Sequence, residues 1–95
     1  MNRNKNEYNS EIEIISETLS DLKTANGVCN FLLELLTKSE IETLSKRWRI
    51  LNMLVEGKTQ REIAQELKVS LCKVTRGAKI LKNKKSVIKK YLIKE

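Results

Sequence analysis

Residues 28–36, VCNFLLELL, carry apolar side chains on nearly every side of a helix. Val28, Phe31, Leu32, Leu35 and Leu36 form a stripe at helical spacing, and Leu33 widens it past half the circumference. A short helix of this kind has to be covered from several directions. A chain of 95 residues buries only a modest core of its own. The segment therefore calls for a second copy of the chain, with helices interlocked between the two. Nothing elsewhere argues for strands. There is no Pro, and the three Gly stand at positions 27, 57 and 77. The expected architecture is all-α, with six helices in an intertwined homodimer.

The helix boundaries follow from capping signals. Residues 1–9 are polar and read as a flexible arm. Ser10-x-x-Glu13 is a capping box, followed by Ile12, Ile15, Leu19 and Leu22, which predicts a helix to about Lys23. Thr24 to Gly27 reads as a break before the apolar helix. Thr37-x-x-Glu40 and Ser39-x-x-Glu42 both offer caps for a long third helix to Glu56, closed by Gly57. Its stripe is Ile41, Leu44, Trp48, Leu51 and Val55, so Trp48 is expected in the core. Val87, Ile88, Tyr91 and Leu92 stripe a last helix from about Ser86. The chain reads as one domain: arm 1–9, dimerisation core 10–58, a two-helix motif 59–82 and a C-terminal helix 83–95.

That two-helix motif, TQREIAQELKVSLCKVTRG at 59–77, has the pattern of a helix-turn-helix. Thr59-x-x-Glu62 caps the first helix, and Ile63 and Leu67 give it an apolar face. Ala64 leaves room for a close crossing. Val69 anchors the turn, Ser70 caps the second helix, and Val74 faces back onto the first. Lys68 stands where many such turns have Gly. A left-handed residue there costs Lys roughly 1 kcal/mol more than Gly. Ser70, Leu71, Cys72, Thr75, Arg76 and Lys79 are left on the second helix as a face suited to a major groove. Thr59, Gln60 and Arg61, at the start of the first helix, join them as candidate DNA contacts. Lys73, Lys79, Lys82 and the tail lysines are expected on phosphates.

The charge is split along the chain. Residues 1–58 hold 8 Lys/Arg against 9 Asp/Glu, whereas residues 59–95 hold 11 against 3, so the whole excess of +7 lies in the motif and the tail. A basic half beside a near-neutral half suits a polyanion. The bland alternative for the tail lysines is a solvated helix face. No stretch has the length and greasiness to enter a bilayer, and the polar N-terminus does not resemble a signal peptide, so a cytoplasmic location is expected. Cys29 and Cys72 are far apart and there is no His, which leaves no zinc finger. Both read as reduced thiols, Cys29 in the core and Cys72 on the recognition face. No nucleophile with an activating base and no metal site supports an enzyme, and no cofactor is expected.

The stretch from Leu36 to Lys82 resembles the bacterial tryptophan repressor family. The resemblance rests on LT with an acidic turn at 36–40, KRWRI at 46–50, TQRE at 59–62 and TRG at 75–77. It implies an intertwined homodimer whose reading heads enter two successive major grooves of operator DNA when L-tryptophan is bound as corepressor. On the matching positions, Arg47 and Arg76 would sandwich the indole and Arg76 would meet the carboxylate. Thr37 of the other chain would assist, and Gly77 would leave space for the ring. Carbonyls of the turn at Leu36 would receive the ligand amino group. Arg61 matches a position that reaches a guanine edge. Two departures bear on the ligand: Ile80 stands where the family commonly has Ser, and Glu34 where it tends to be apolar. The bland reading of Gly77 is close helix packing, and that of Arg47 a surface cation. Three other readings compete: a repressor-like protein needing no small molecule, a detached DNA-binding module of a transposase-type system, and a purely structural helical dimer.

Overall fold

The computed structural model describes residues 10–93; the expected arm 1–9 lies outside them, as does Lys94. Among the described residues there are six helices and no strand: α1 (Ser10–Leu22), α2 (Ala25–Leu35), α3 (Lys38–Val55), α4 (Gln60–Leu67), α5 (Leu71–Lys82) and α6 (Val87–Leu92). The chain gathers into two units divided between Thr37 and Lys38.

The first unit is the hairpin of α1 and α2. Its turn is tighter than the sequence suggests. The break is confined to Lys23, which sits at φ 61°, while Thr24 N–H donates to the Leu22 carbonyl at 2.7 Å. Thr24 is already the N-cap of α2, its hydroxyl accepting from Gly27 N–H at 3.0 Å. The helix expected from Val28 thus begins at Ala25, because a Thr with a free N–H three residues on starts a helix as readily as it ends one. Val28, Phe31 and Leu32 are half-buried, whereas Leu33 (55% exposed) and Leu35 (54%) face outward. Cys29, expected in the core, is exposed. It stands one position past Val28, on the side of α2 that α1 does not cover.

In the second unit α3, α4 and α5 pack on one another, and α6 packs on α5. The core is Ile50, Met53, Ile63, Leu67 and Val74, with Leu54, Ala64 and Val69 against it. Ile63 and Val74 are fully buried, which is what the two-helix pattern requires of them. The stripe expected on α3 is only partly the buried one. Leu51 is buried, but Leu44, Trp48 and Val55 are 40–48% exposed, and the positions against α4 and α5 are Ile50, Met53 and Leu54. Trp48 is therefore not a core residue of the single chain. An 18-residue helix can present two apolar faces, and periodicity alone does not say which one a neighbour will take.

Three local devices set the angles of this unit. Gly57, at φ 96°, ends α3 in a Schellman turn: Gly57 N–H donates to the Leu54 carbonyl and Lys58 N–H to that of Met53, both at 3.1 Å. Thr59 and Glu62 form the expected capping box, Glu62 N–H to Thr59 Oγ1 at 3.1 Å and Thr59 N–H to Glu62 Oε1 at 2.8 Å. α4 then ends at Lys68 in the left-handed conformation (φ 56°, ψ 47°), with Val69 N–H closing back to the Ala64 carbonyl. The strained lysine anticipated from the sequence is present.

α5 lies close on α3 because Gly77 is buried between them. A Cβ placed there would stand 3.0 Å from Ile50 Cγ2 and 3.5 Å from Leu54 Cδ1. Close helix packing, the bland reading of this glycine, is thus what the structure holds, so a branched side chain would push the helices apart before it filled any pocket.

Two outcomes follow. Gly77→Val lowers stability by about 1–3 kcal/mol through overpacking, read as a lower urea midpoint; an unchanged midpoint would contradict the tight crossing. The Thr59 backbone N–H, with smaller help from the Thr59 hydroxyl and the Lys58 charge, holds the Glu62 carboxyl below the ordinary glutamate value. A carboxylate depressed on folding contributes stability that is complete above its unfolded pKa and lost as pH falls through its folded one. The α4 cap therefore persists through the ordinary glutamate range and loosens only on further acidification. An NMR titration should put the Glu62 midpoint below the free-glutamate value; a midpoint at or above it would refute the cap's charge dependence.

Candidate nucleic-acid interface and ligand cleft

α5 is held at both ends of the motif. Ser70 Oγ caps its first turn by accepting from Lys73 N–H at 3.3 Å. Thr75 Oγ1 donates to Gln60 Oε1 at 2.9 Å, tying the middle of α5 to the first residue of α4. This bond was not legible in the sequence, because it joins residues fifteen apart. It orients Gln60 and Thr75, two of the candidate DNA contacts, against each other.

Held this way, α5 has three sides. Val74 and Gly77 are buried, and Ala78 and Leu81 are half-buried beside them. Leu71, Cys72, Thr75, Lys79 and Lys82 share a second, exposed side. Arg61, near the start of α4, is exposed as well. The outward side offers short tips toward its N-terminal end and ammonium groups toward its C-terminal end. That gradient suits a helix whose first turns meet base edges.

The third side holds Lys73, Arg76 and Ile80, three and four residues apart, and it opens on a cleft of about 510 Å³. Ile50, Leu51, Val69, Gly77 and Ile80 supply the apolar lining. Lys46 and Arg47 stand on the α3 wall, Lys73 and Arg76 on the α5 wall, and Lys68 at the turn. Glu42 is the one carboxylate in the lining, with hydroxyls from Ser39, Thr43 and Ser70. A site with an apolar floor and cationic walls suits a planar molecule carrying an acid group.

Of the six expected ligand residues, Arg47, Arg76, Gly77 and Ile80 thus meet in one cleft. Leu36 and Thr37 belong to the N-terminal unit, Leu36 as the extended C-cap of α2 and Thr37 directly before α3. Lys73, assigned on sequence to phosphates, lines the cleft instead of sharing the outward side. The sequence reading also missed Lys46, Lys68 and the α3 hydroxyls. The spacing Ser39, Thr43, Lys46, Ile50 marks a single α3 face and was the available signal.

No helix among the described residues is long and apolar enough to cross a membrane. The family model described as Trp repressor protein matches residues 10–95. A Trp operon repressor homolog from Chlamydia caviae is 38% identical over 77 residues, covering 80% of this chain and 76% of that protein. One from Chlamydia trachomatis serovar D is 41% identical over 61 residues, covering 63% and 65%. One from Xylella fastidiosa M23 is 45% identical over 62 residues, covering 64% and 65%. The chain thus spans just under two thirds of the latter two relatives. No solved structure matches it. A helix-turn-helix with an exposed outward side, inside a match that takes in all six helices, identifies this chain as a member of the Trp repressor family, DNA-binding regulators of transcription that are not enzymes.

Proposed function

We propose that the protein is a homodimeric repressor of transcription whose operator binding is switched on by an indole amino acid, L-tryptophan being the ligand of choice. The observation that carries this reading is the convergence of Arg47 and Arg76 on one cleft floored by Ile50, Gly77 and Ile80. Two guanidinium groups lining a cleft with an apolar floor offer stacking partners to a flat aromatic ring, and Arg76 could also meet a carboxylate. The relatives' name, Trp operon repressor homolog, supports the same ligand and points to tryptophan genes as the target. Thr37 and the carbonyls near Leu36, from the second chain, would complete the cleft. A soluble cytoplasmic protein fits this role.

The dimer is supported by surfaces that one chain leaves uncovered. Leu33 and Leu35 on α2, and Leu44, Trp48 and Val55 on α3, are each at least 40% exposed. Five large apolar groups in a chain this small match the interface of an obligate homodimer better than a monomer surface.

Ile80 favours a second reading, in which the protein represses without a small molecule. It lines the cleft with a branched apolar side chain and offers no hydroxyl to a polar ligand. The decisive measurement is operator binding with and without L-tryptophan. Tightening of about ten-fold or more with the amino acid, roughly 1.4 kcal/mol, supports the corepressor reading; equal affinity supports the ligand-free one.

Sedimentation at micromolar concentration is expected to give a dimer, and a stable folded monomer there would overturn the assembly. On DNA, the dimer should take a near-palindromic site with half-sites about 34 Å apart. Thr59, Gln60, Arg61, Ser70, Leu71, Cys72 and Thr75 would face base edges and adjoining phosphates, with Lys79 and Lys82 on the backbone. Arg61→Ala is expected to cost roughly 1–3 kcal/mol on the cognate duplex and to relax specificity. Lys82→Ala should weaken cognate and scrambled duplexes alike and flatten the salt dependence. Equal, sequence-blind losses for both variants would reduce Arg61 to a phosphate contact.

A further inference from the structure

We infer that Lys73 is a ligand-binding residue, gripping the acid group of the corepressor together with Arg76. The inference rests on the corepressor reading above and adds a contact to it. Lys73 belongs to the first turn of α5, where its backbone N–H is pinned by Ser70 Oγ at 3.3 Å. From that fixed point its side chain lines the cleft, on the same side of the helix as Arg76 and Ile80. Leu71, Cys72 and Thr75, the groove-facing positions around it, lie on the other exposed side.

Charge gives the placement a consequence. Lys73 and Arg76 are three residues apart on a helix, so the two cations are neighbours and repel. Neither has a carboxylate partner among the described residues, where the ion pair formed is Lys58 with Glu66. Glu42, the carboxylate in the cleft lining, shares it with five cations. An entering carboxylate relieves that repulsion and is offered two donors of different shape, a planar guanidinium and a rotatable ammonium. The apolar Ile80, one turn on from Arg76, supplies no competing polar contact. A ligand of this cleft is therefore an aromatic acid whose affinity is weighted toward its carboxylate.

The test is calorimetric binding of L-tryptophan to the intact protein and its Lys73→Gln, Lys73→Arg and Lys79→Gln variants, each at two salt concentrations. Lys79 lies on the outward side of α5, so it controls for a general loss of positive charge. Lys73→Gln is expected to weaken tryptophan about five- to ten-fold and to flatten the salt dependence of binding. Lys73→Arg should recover most of the loss, and Lys79→Gln should leave affinity unchanged. Equal affinity for Lys73→Gln and the native protein, or an equal loss for Lys79→Gln, overturns the inference and leaves the corepressor reading standing. If the native protein itself binds no tryptophan, both fall. Matching thermal midpoints across the variants keep a folding defect from passing as a lost contact.

Discussion

Everything the second unit presents depends on how closely α5 can lie on α3. Gly77 sets that distance, with Ile50 Cγ2 only 3.0 Å from where a Cβ would be. Glycine in mid-helix costs about 1 kcal/mol relative to Ala, so the crossing has to return more than that. It does so by bringing Ile50, Met53 and Leu54 of α3 onto the Ile63–Val74 centre of the helix-turn-helix. The same approach forms the cleft floor, since Ile50, Leu51 and Gly77 line it. One contact thus aims the outward side of α5 and shapes the cleft.

The turn between α4 and α5 completes that geometry at some strain. Lys68 holds a left-handed conformation that Gly would adopt more cheaply. What Lys offers in exchange is a cation at the end of the cleft. Gly57 makes the contrasting choice: it turns at φ 96° with nothing within 4 Å of a would-be Cβ, so only the backbone angle selects the glycine there.

Local features of the fold were legible in the sequence, and long-range ones were not. The Thr59–Glu62 box, the Ser70 cap, the Gly57 stop and the left-handed Lys68 all rest on residues within a few positions of each other, and all are present. Apolar pattern and residue habit speak for a buried Trp48 and a buried Cys29, yet in the single chain the outcome depended on which side of a helix a neighbour covered. The earlier start of α2 is a local matter, set by the Thr24 cap. The place of Lys73 in the cleft lining was equally out of reach of the sequence. Only the orientation of α5 against α3 distinguishes a lysine beside the cleft from one beside the groove. Arg47, Arg76, Gly77 and Ile80 came together as expected because the spacing of the family's motifs carries that geometry with it.

The three-sided partition of α5 has an evolutionary consequence. Positions 71, 72, 75 and 79 can vary without entering the cleft, and positions 73, 76 and 80 can vary without entering the groove-facing side. What a molecule in the cleft would meet and what a DNA groove would meet are thus written on separate letters of one twelve-residue word. Either can drift while the other is held, provided the buried side with Val74 and Gly77 stays as it is. On the reading proposed above, a short helix of this kind would take a new signal without losing its old address.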